Sequence, residues 1–444
     1  MAGAEQGVGE RGAIIYDWNE VARRGRVIRR PFKVLDETLR DGIQSPSVRN
    51  PTIGDKLEIL HLMEACGIDV ADIGLPGAGQ QAVDDVTRLC EEIRDAKLAI
   101  LPNCAARTHP ADVGAVVDIA HKTGVPLEIC AFIGSSPIRQ LVEGWDLAKM
   151  QGLVREAVRI GVRGGCKVSF VTEDTIRSHP MTLARLFETA IEEGADRLIL
   201  TDTVGHATPD GLLNLLNFVR SMLRSWGADH VELDWHGHND RGLALTLNLF
   251  ALEHGFDRVH GTALGVGERV GNSSIDQLLI NLKLLGIIDR DLRPLGDYVR
   301  KVSQAYNVPI PYNYPVFGSD AFRTATGVHA AAVIKALQRG DRDLADRVYS
   351  SVPAADFGCR QRVDIGYYSG RSNVQFWLHE HGLQITDARV EAIWSHAKVG
   401  DCTLEDVEIV ELLRRASLID DSEATVALHP APPPVKAGLA AAAS

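Results

Sequence analysis

Short apolar runs alternate with amphipathic helical patterns from about residue 31 to about residue 285, and this alternation constrains the fold more than any other feature. The first runs are Phe32-Lys33-Val34-Leu35 and Val70-Ala71-Asp72-Ile73. Six more follow at 98–101, 127–130, 167–170, 198–201, 231–234 and 258–261. Between them, apolar residues recur at helical spacing, as in Ile53, Leu57 and Leu60, or Leu153, Val154, Ala157 and Val158. Gly67-Ile68-Asp69 and Gly194-Ala195-Asp196 mark helix stops just before a strand. Eight strand–helix units predict an α/β fold, a closed parallel TIM-type (β/α)8 barrel over residues 31–290, in preference to an open doubly wound sheet. No G-x-G-x-x-G opens the first helix, which further disfavours a dinucleotide fold.

The pattern stops near residue 290. A proline-rich stretch, Val308-Pro309-Ile310-Pro311-Tyr312-Asn313-Tyr314-Pro315, predicts a linker over 291–318. A smaller, mainly helical C-terminal region is expected over 319–425, then a Pro- and Ala-rich disordered tail over 426–444. Residues 1–30 read as an N-terminal extension, with a basic run from Arg23 to Arg30 that is expected to be solvated. The net charge of −12 argues against a nucleic-acid partner. The seven cysteines are dispersed and form no C-x-x-C pair, as expected for a reducing compartment. No apolar run reaches membrane-spanning length, and Ala13-Ile14-Ile15 is too short for a signal-peptide core. A cytoplasmic protein is expected.

Charge then appears where buried strands should have none. His236 and His238 lie two apart in an extended segment, so both imidazoles project from one face. Arg40 and Asp41 follow the first strand, and Gly265-Val266-Gly267-Glu268-Arg269-Val270-Gly271-Asn272 follows the eighth. In a barrel, chemistry sits where strands end, and the first, seventh and eighth strands adjoin on closure. One carboxylate and two imidazoles suit a divalent metal with open positions, and Asn272 can add a neutral oxygen. Such a metal would polarise the carbonyl of a 2-oxo acid, with Arg40 beside it to stabilise the alkoxide.

These segments resemble the DRE-TIM metallolyase superfamily, and within it the 2-isopropylmalate/homocitrate synthase branch. D-x-T-L-R-D-G-x-Q stands at 36–44, H-x-H-N-D at 236–240 and G-x-G-E-R-x-G-N at 265–272. Glu173-Asp174 and Asp202-Thr203-Val204-Gly205 match as well. The resemblance implies a divalent-metal-dependent condensation of acetyl-CoA with a 2-oxo acid, giving a 2-substituted malate, as in leucine biosynthesis. It implies metal ligation by Asp41, His236 and His238, with Asn272 in or near the shell, and leaves Mg, Mn, Co and Zn open. Arg40 would stabilise the oxyanion. Thr203 would hold the oxo-acid carboxylate, Gln44 would contact substrate, and Glu268 would orient substrate or the hydrolytic water. His329 and Tyr349, in the second region, fall on the family's pair that supports acetyl-CoA deprotonation. A homodimer with exchange of the C-terminal domain is implied.

The sequence departs from the family pattern at Ile43, in place of an acidic residue, and at Thr324, in place of a histidine. Arg139 stands where isopropylmalate synthases often carry histidine. Pointing into the mouth, Arg139 would favour a dicarboxylic or phosphono 2-oxo acid; otherwise it forms a surface salt bridge. Three rivals have less support. A 3-hydroxy-3-methylglutaryl-CoA-type retro-Claisen lyase would need a cysteine in the glycine-rich loop, and residues 265–272 have none. A biotin-dependent carboxyltransferase would come with an M-K-M segment, also missing. An inactive binding protein would not need an intact ligand set. The stretch after Arg371 is expected to be too short for the second domain and an amino-acid-binding regulatory module together, so feedback inhibition by leucine is expected to be absent.

Overall fold

The computed structural model describes residues 15–19, 28 and 31–429. The basic run, apart from Ile28, and the tail beyond His429 lie outside the described residues. Eight parallel strands close into a barrel: β1 (Lys33–Asp36), β2 (Val70–Asp72), β3 (Leu101–Arg107), β4 (Glu128–Gly134), β5 (Lys167–Glu173), β6 (Arg197–Asp202), β7 (Glu232–Gly237) and β8 (Arg258–Gly261). Closure runs through β1 and β8, with Leu35 opposite His260 and Asp36 opposite Gly261. All six residues of β6 are buried, as expected when helices cover the outside of a parallel barrel.

The third strand differs from its expected position. Helix Gln80–Asp95 ends at Ala96, and Lys97 takes a left-handed φ of 55°. The Leu98 N–H then bonds back to the Ile93 carbonyl, so residues 98–100 form the return turn. The strand starts at Leu101, where the apolar run stops. In β4, β5 and β7 the strand also runs three or more residues past its apolar run. Those extra residues carry the polar side chains of the barrel mouth.

Local signals set the helices. Thr52 accepts from the Asp55 N–H at 3.2 Å, and the Asp55 carboxylate answers the Thr52 backbone, which closes a capping box on helix Ile53–Ala65. Proline opens the helices Pro110–Thr123, Pro180–Glu192 and Pro209–Ser225, where its missing N–H costs nothing.

The expected linker holds a 12-residue helix, Leu295–Tyr306. Its buried face is tyrosine-rich. The Tyr298 hydroxyl lies 3.0 Å from Thr38 Oγ1 and donates to Asp36, and the Tyr306 hydroxyl donates to the Thr38 carbonyl at 2.5 Å. Residues 297–308 therefore group with the barrel as one compact unit.

The second unit comprises Asp291–Gly296 and the chain from Pro309 on. It contains a short parallel pair, Arg323–Thr324 with Arg362–Val363, and a set of helices. Two aliphatic clusters fill it, one around Ile365, Trp377, Ile393 and Leu413, the other around Ala330, Val333 and Ala345. Its last helix, Asp421–Leu428, is capped by Asp420 and runs past the expected start of the tail at 426. Among the described residues no helix is long and apolar enough to cross a membrane.

Candidate metal centre and cavity

Three connected segments bring the ligand-type side chains together. β7 ends in His236 and Gly237, with His236 opposite Thr201 of β6. His238 follows, its N–H bonded to the Asp202 carbonyl, so both imidazoles stay on one side with ring centroids 5.1 Å apart. Asp41 arrives on the turn after β1. Its Oδ2 lies 3.9 Å from His236 Nε2 and 3.6 Å from His238 Nε2. One ligand atom from each of these three residues lies within 4.8 Å of the others, and all three residues are buried.

Asn272 completes the group from the loop after β8. Its Nδ2 donates to Asp41 Oδ2 at 2.8 Å, and its buried Oδ1 has no hydrogen-bond partner. His238 Nδ1 is likewise buried without a partner. Burial, followed by the neighbouring His236, pulls His238 down to about 4, so the imidazole is neutral at pH 7, as a metal ligand must be. The donors are nitrogen and oxygen only, and an unanswered amide oxygen sits among them. The set fits a hard or borderline divalent cation.

Glycine makes the approach of Asn272 possible. Gly271 has φ +89°, and a Cβ there would fall 1.8 Å from the Gly265 carbonyl oxygen. A Cβ on Gly267 would fall 2.5 Å from Asn272 Nδ2. The loop can thus fold tightly enough to bring the Asn272 amide to Asp41.

Arg40 sits beside the cluster under three carboxylates. Nε donates to Asp72 at 2.8 Å, Nη1 to Asp41 at 3.0 Å and Nη2 to Glu37 at 2.8 Å. From sequence alone Glu37 and Asp72 have no role and His260 reads as structural. Glu37 also faces His236 Nδ1 at 2.7 Å and His260 Nδ1 at 3.1 Å. Burial alone would raise the Glu37 carboxyl, but His236, Arg40 and His260 around it hold it well below the usual range. Burial lifts Asp72 to about 6 despite its bond to Arg40. Each is an ionisable side chain in, at the end of, or just after an apolar run, which marks the residue but not its partners.

A cavity of about 240 Å³ opens over the cluster. Leu75, Ala105, Cys130, Phe132, Val171 and Ile199 form an apolar wall, and Gln44, Glu173, Thr203 and Glu268 line the rest. Thr203 Oγ1 accepts from the Asp174 N–H at 2.8 Å and lies 3.0 Å from Thr201 Oγ1. Thr201 donates to the Thr172 carbonyl, so the Thr203 proton is available to Thr201 or to a ligand. A larger hollow of about 480 Å³, bordered by His206, Phe218 and Arg241, is lined by none of Asp41, His236, His238 and Asn272.

Arg139 does not line the cavity. It lies on helix Pro137–Glu143, with Nη2 3.2 Å from Glu143 and Nε 3.6 Å from Glu173. It touches the mouth only through Glu173. Burial raises the Glu173 carboxyl, and Arg139 opposes that shift. In the second unit, the His329 and Tyr349 rings lie 4.2 Å apart between centroids and are tilted by 35°, and both residues are exposed.

Residues 31–298 match the model of the HMGL-like family. A probable 2-isopropylmalate synthase from Methanopyrus kandleri is 32% identical over 374 residues, 83% of this chain and 70% of that protein. A homocitrate synthase from the same organism is 31% identical over 388 residues, 86% of this chain and 91% of that protein. Among solved structures, the HMG-CoA lyase of Bacillus subtilis superposes with a TM-score of 0.53 at 18% identity, covering 64% of this chain and 96% of that one. The likeness to the lyase concerns the barrel fold.

Proposed function

The chain belongs to the HMGL-like family, and from that premise we propose that it condenses acetyl-CoA with a 2-oxo acid to give a 2-substituted malate. The observation that carries this reading is the buried cluster of Asp41, His236 and His238 beside Arg40, under a cavity of small-molecule size. Asp41, His236, His238 and Asn272 Oδ1 would hold a divalent cation. When bound, the cation would act as a Lewis acid on the oxo acid's carbonyl.

The chain's own residues divide the remaining work. Three carboxylates fix the plane of Arg40 and use three of its five N–H groups. The other two can meet the oxyanion that forms when the carbonyl is attacked. Thr203 offers its hydroxyl to the oxo-acid carboxylate, Gln44 contacts substrate at the rim, and Glu268 orients substrate or water. His329 and Tyr349 serve acetyl-CoA deprotonation from the second unit. The reading carries with it a homodimer, a cytoplasmic location and a place in leucine biosynthesis.

Within this reading the oxo acid has an apolar side chain. The cavity wall is aliphatic and aromatic, while Arg139 is engaged by Glu143 and Glu173. A second carboxylate on the substrate would meet Glu173 before it met a free cation. The diacid alternative draws support from the homocitrate synthase relative, which matches over 91% of its length. Release of free thiol from acetyl-CoA, followed across a panel of 2-oxo acids, separates the two. We expect 2-oxoisovalerate to exceed 2-oxoglutarate and oxaloacetate, and Arg139→Leu to leave that order unchanged. Preference for a diacid, reversed by Arg139→Leu, would establish the alternative. No thiol release with any oxo acid would defeat the condensation reading.

A further inference from the structure

A column of alternating charge runs up the inside of the barrel to the candidate metal centre. At its base Glu128, Arg197 and Arg258 open β4, β6 and β8. Arg258 donates to Glu128 at 2.6 and 2.9 Å and also pairs with Asp234, which Arg197 contacts from the other side. Asp234 Oδ2 lies 3.0 Å from His260 Nε2. His260 Nδ1 lies 3.1 Å from Glu37 Oε1, and Glu37 Oε2 lies 2.7 Å from His236 Nδ1. Both nitrogens of His260 therefore face carboxylate oxygens, and only a doubly protonated ring offers a donor to each. Sign alternates at each step: Glu128, Arg258, Asp234, His260, Glu37, and then Arg40, with His236 beside it.

We propose that Glu37 and His260 are positioning residues for the metal centre: Glu37 accepts a hydrogen bond from His236 Nδ1–H, His260 anchors Glu37 to Asp234, and His236 is thereby left to present Nε2. This rests on the metal-centre reading given above. A ligating imidazole needs its other nitrogen held, because that bond fixes both tautomer and ring orientation. His236 Nδ1 lies 2.7 Å from a carboxylate oxygen of Glu37, whereas His238 Nδ1 is buried without a partner. The two imidazoles are thus supported unequally, and the barrel interior determines the geometry of His236. Glu37, His236 and His260 also lie close enough to hold an ion themselves. Here, however, both nitrogens of His260 and Nδ1 of His236 already face carboxylates, and a second cation would have to displace those protons.

Co²⁺ binding to the full-length protein tests the proposal through affinity and the visible d–d spectrum, without any substrate. Glu37→Gln and His260→Gln should each weaken Co²⁺ binding roughly ten- to a hundredfold and alter the d–d bands. Far-UV circular dichroism should show that both variants are folded. Binding within twofold of wild type, with an unchanged spectrum, would overturn the proposal. Two equivalents of Co²⁺ per chain, the second lost in Glu37→Gln, would overturn it in favour of a second ion site. Should either variant fail to fold, ¹⁵N shifts of His236 in Zn²⁺-loaded wild type decide the matter. The proton is expected on Nδ1; a proton on Nε2 would refute the assignment. Asp41→Asn serves as the separate control. If it loses Co²⁺ while the other two variants do not, only the positioning inference fails. If Asp41→Asn binds as wild type does, the metal-centre reading fails.

Discussion

The floor and the mouth of the barrel treat buried charge in opposite ways. At the floor, Arg197, Arg258, Asp234 and Glu128 each contact an opposite charge, and Asp234 is held well below the usual carboxylate range by its arginines against the effect of burial. At the mouth, Asn272 Oδ1 and His238 Nδ1 are buried without partners, and the Nε2 atoms of two imidazoles face one carboxylate at 3.6 and 3.9 Å. A buried polar atom without a partner costs free energy unless a ligand answers it, and here two such atoms belong to one cluster of ligand-type side chains. The paired charges of the floor hold the structure together, and the unpaired ligand-type atoms of the mouth are available for chemistry.

The sharpest way to break this contrast is to attack the mouth. His238→Ala, or exhaustive chelation of wild type, should remove condensation activity by orders of magnitude. Neither should lower the thermal midpoint as a floor substitution does. Full thiol release after chelation would show that the cluster is not needed. The floor should respond in the reverse sense. Arg258→Met leaves Asp234 and Glu128 without their shared cation and should destabilise the fold by about 3–5 kcal/mol, measured by denaturant unfolding. A stability loss under about 1 kcal/mol would mean that the floor network is dispensable.

Arg40 belongs to both regimes, since three carboxylates hold it and the cavity reaches it. Arg40→Lys keeps the charge but loses the planar fork, and should lower kcat roughly 10²–10³-fold with a smaller effect on folding. A near-wild-type kcat would reduce Arg40 to charge balance. The smallest effect sharpens the contrast through pH. Burial lifts Asp36 to about 7, in spite of its bonds to Thr38 and Tyr298. A carboxyl raised in this way binds its proton more tightly in the folded state. Its stabilising contribution is complete below the unfolded value near 3.8 and is lost as pH rises through about 7. The stability of wild type relative to Asp36→Asn should therefore decline between pH 4 and pH 7. Parallel stability curves would contradict it.

The barrel was legible because its signal is repeated eight times, so a three-residue error at the third strand did not disturb the count. The ligand-type triad was legible because His236 and His238, two apart in an extended segment, stand with two other charged segments, at Arg40-Asp41 and 265–272, that barrel closure brings together. The support beneath it was not. His260 and Glu37 are separated by 223 residues, and Arg258 and Glu128 by 130. A single charged residue inside a strand does not announce a partner so far away. The orientation of Arg139 was undetermined for a related reason: a helix of seven residues with no buried side chain leaves no periodicity from which to tell inside from outside. The helix Leu295–Tyr306 was obscured by the proline run just after it, although Tyr298, Val299, Val302 and Tyr306 form a buried helical stripe.

That helix bears on how the chain can be dissected. Tyr298 and Tyr306 close over Asp36 and Thr38, two to five residues before Arg40 and Asp41. A fragment cut at residue 290 would retain every barrel strand yet strip the lid from the first one. Water would reach Asp36, and the turn that carries Arg40 would lose its backing. The smallest piece able to keep this mouth in shape therefore ends after Val308. Residues that follow the eighth strand in the chain thus complete the packing of the first.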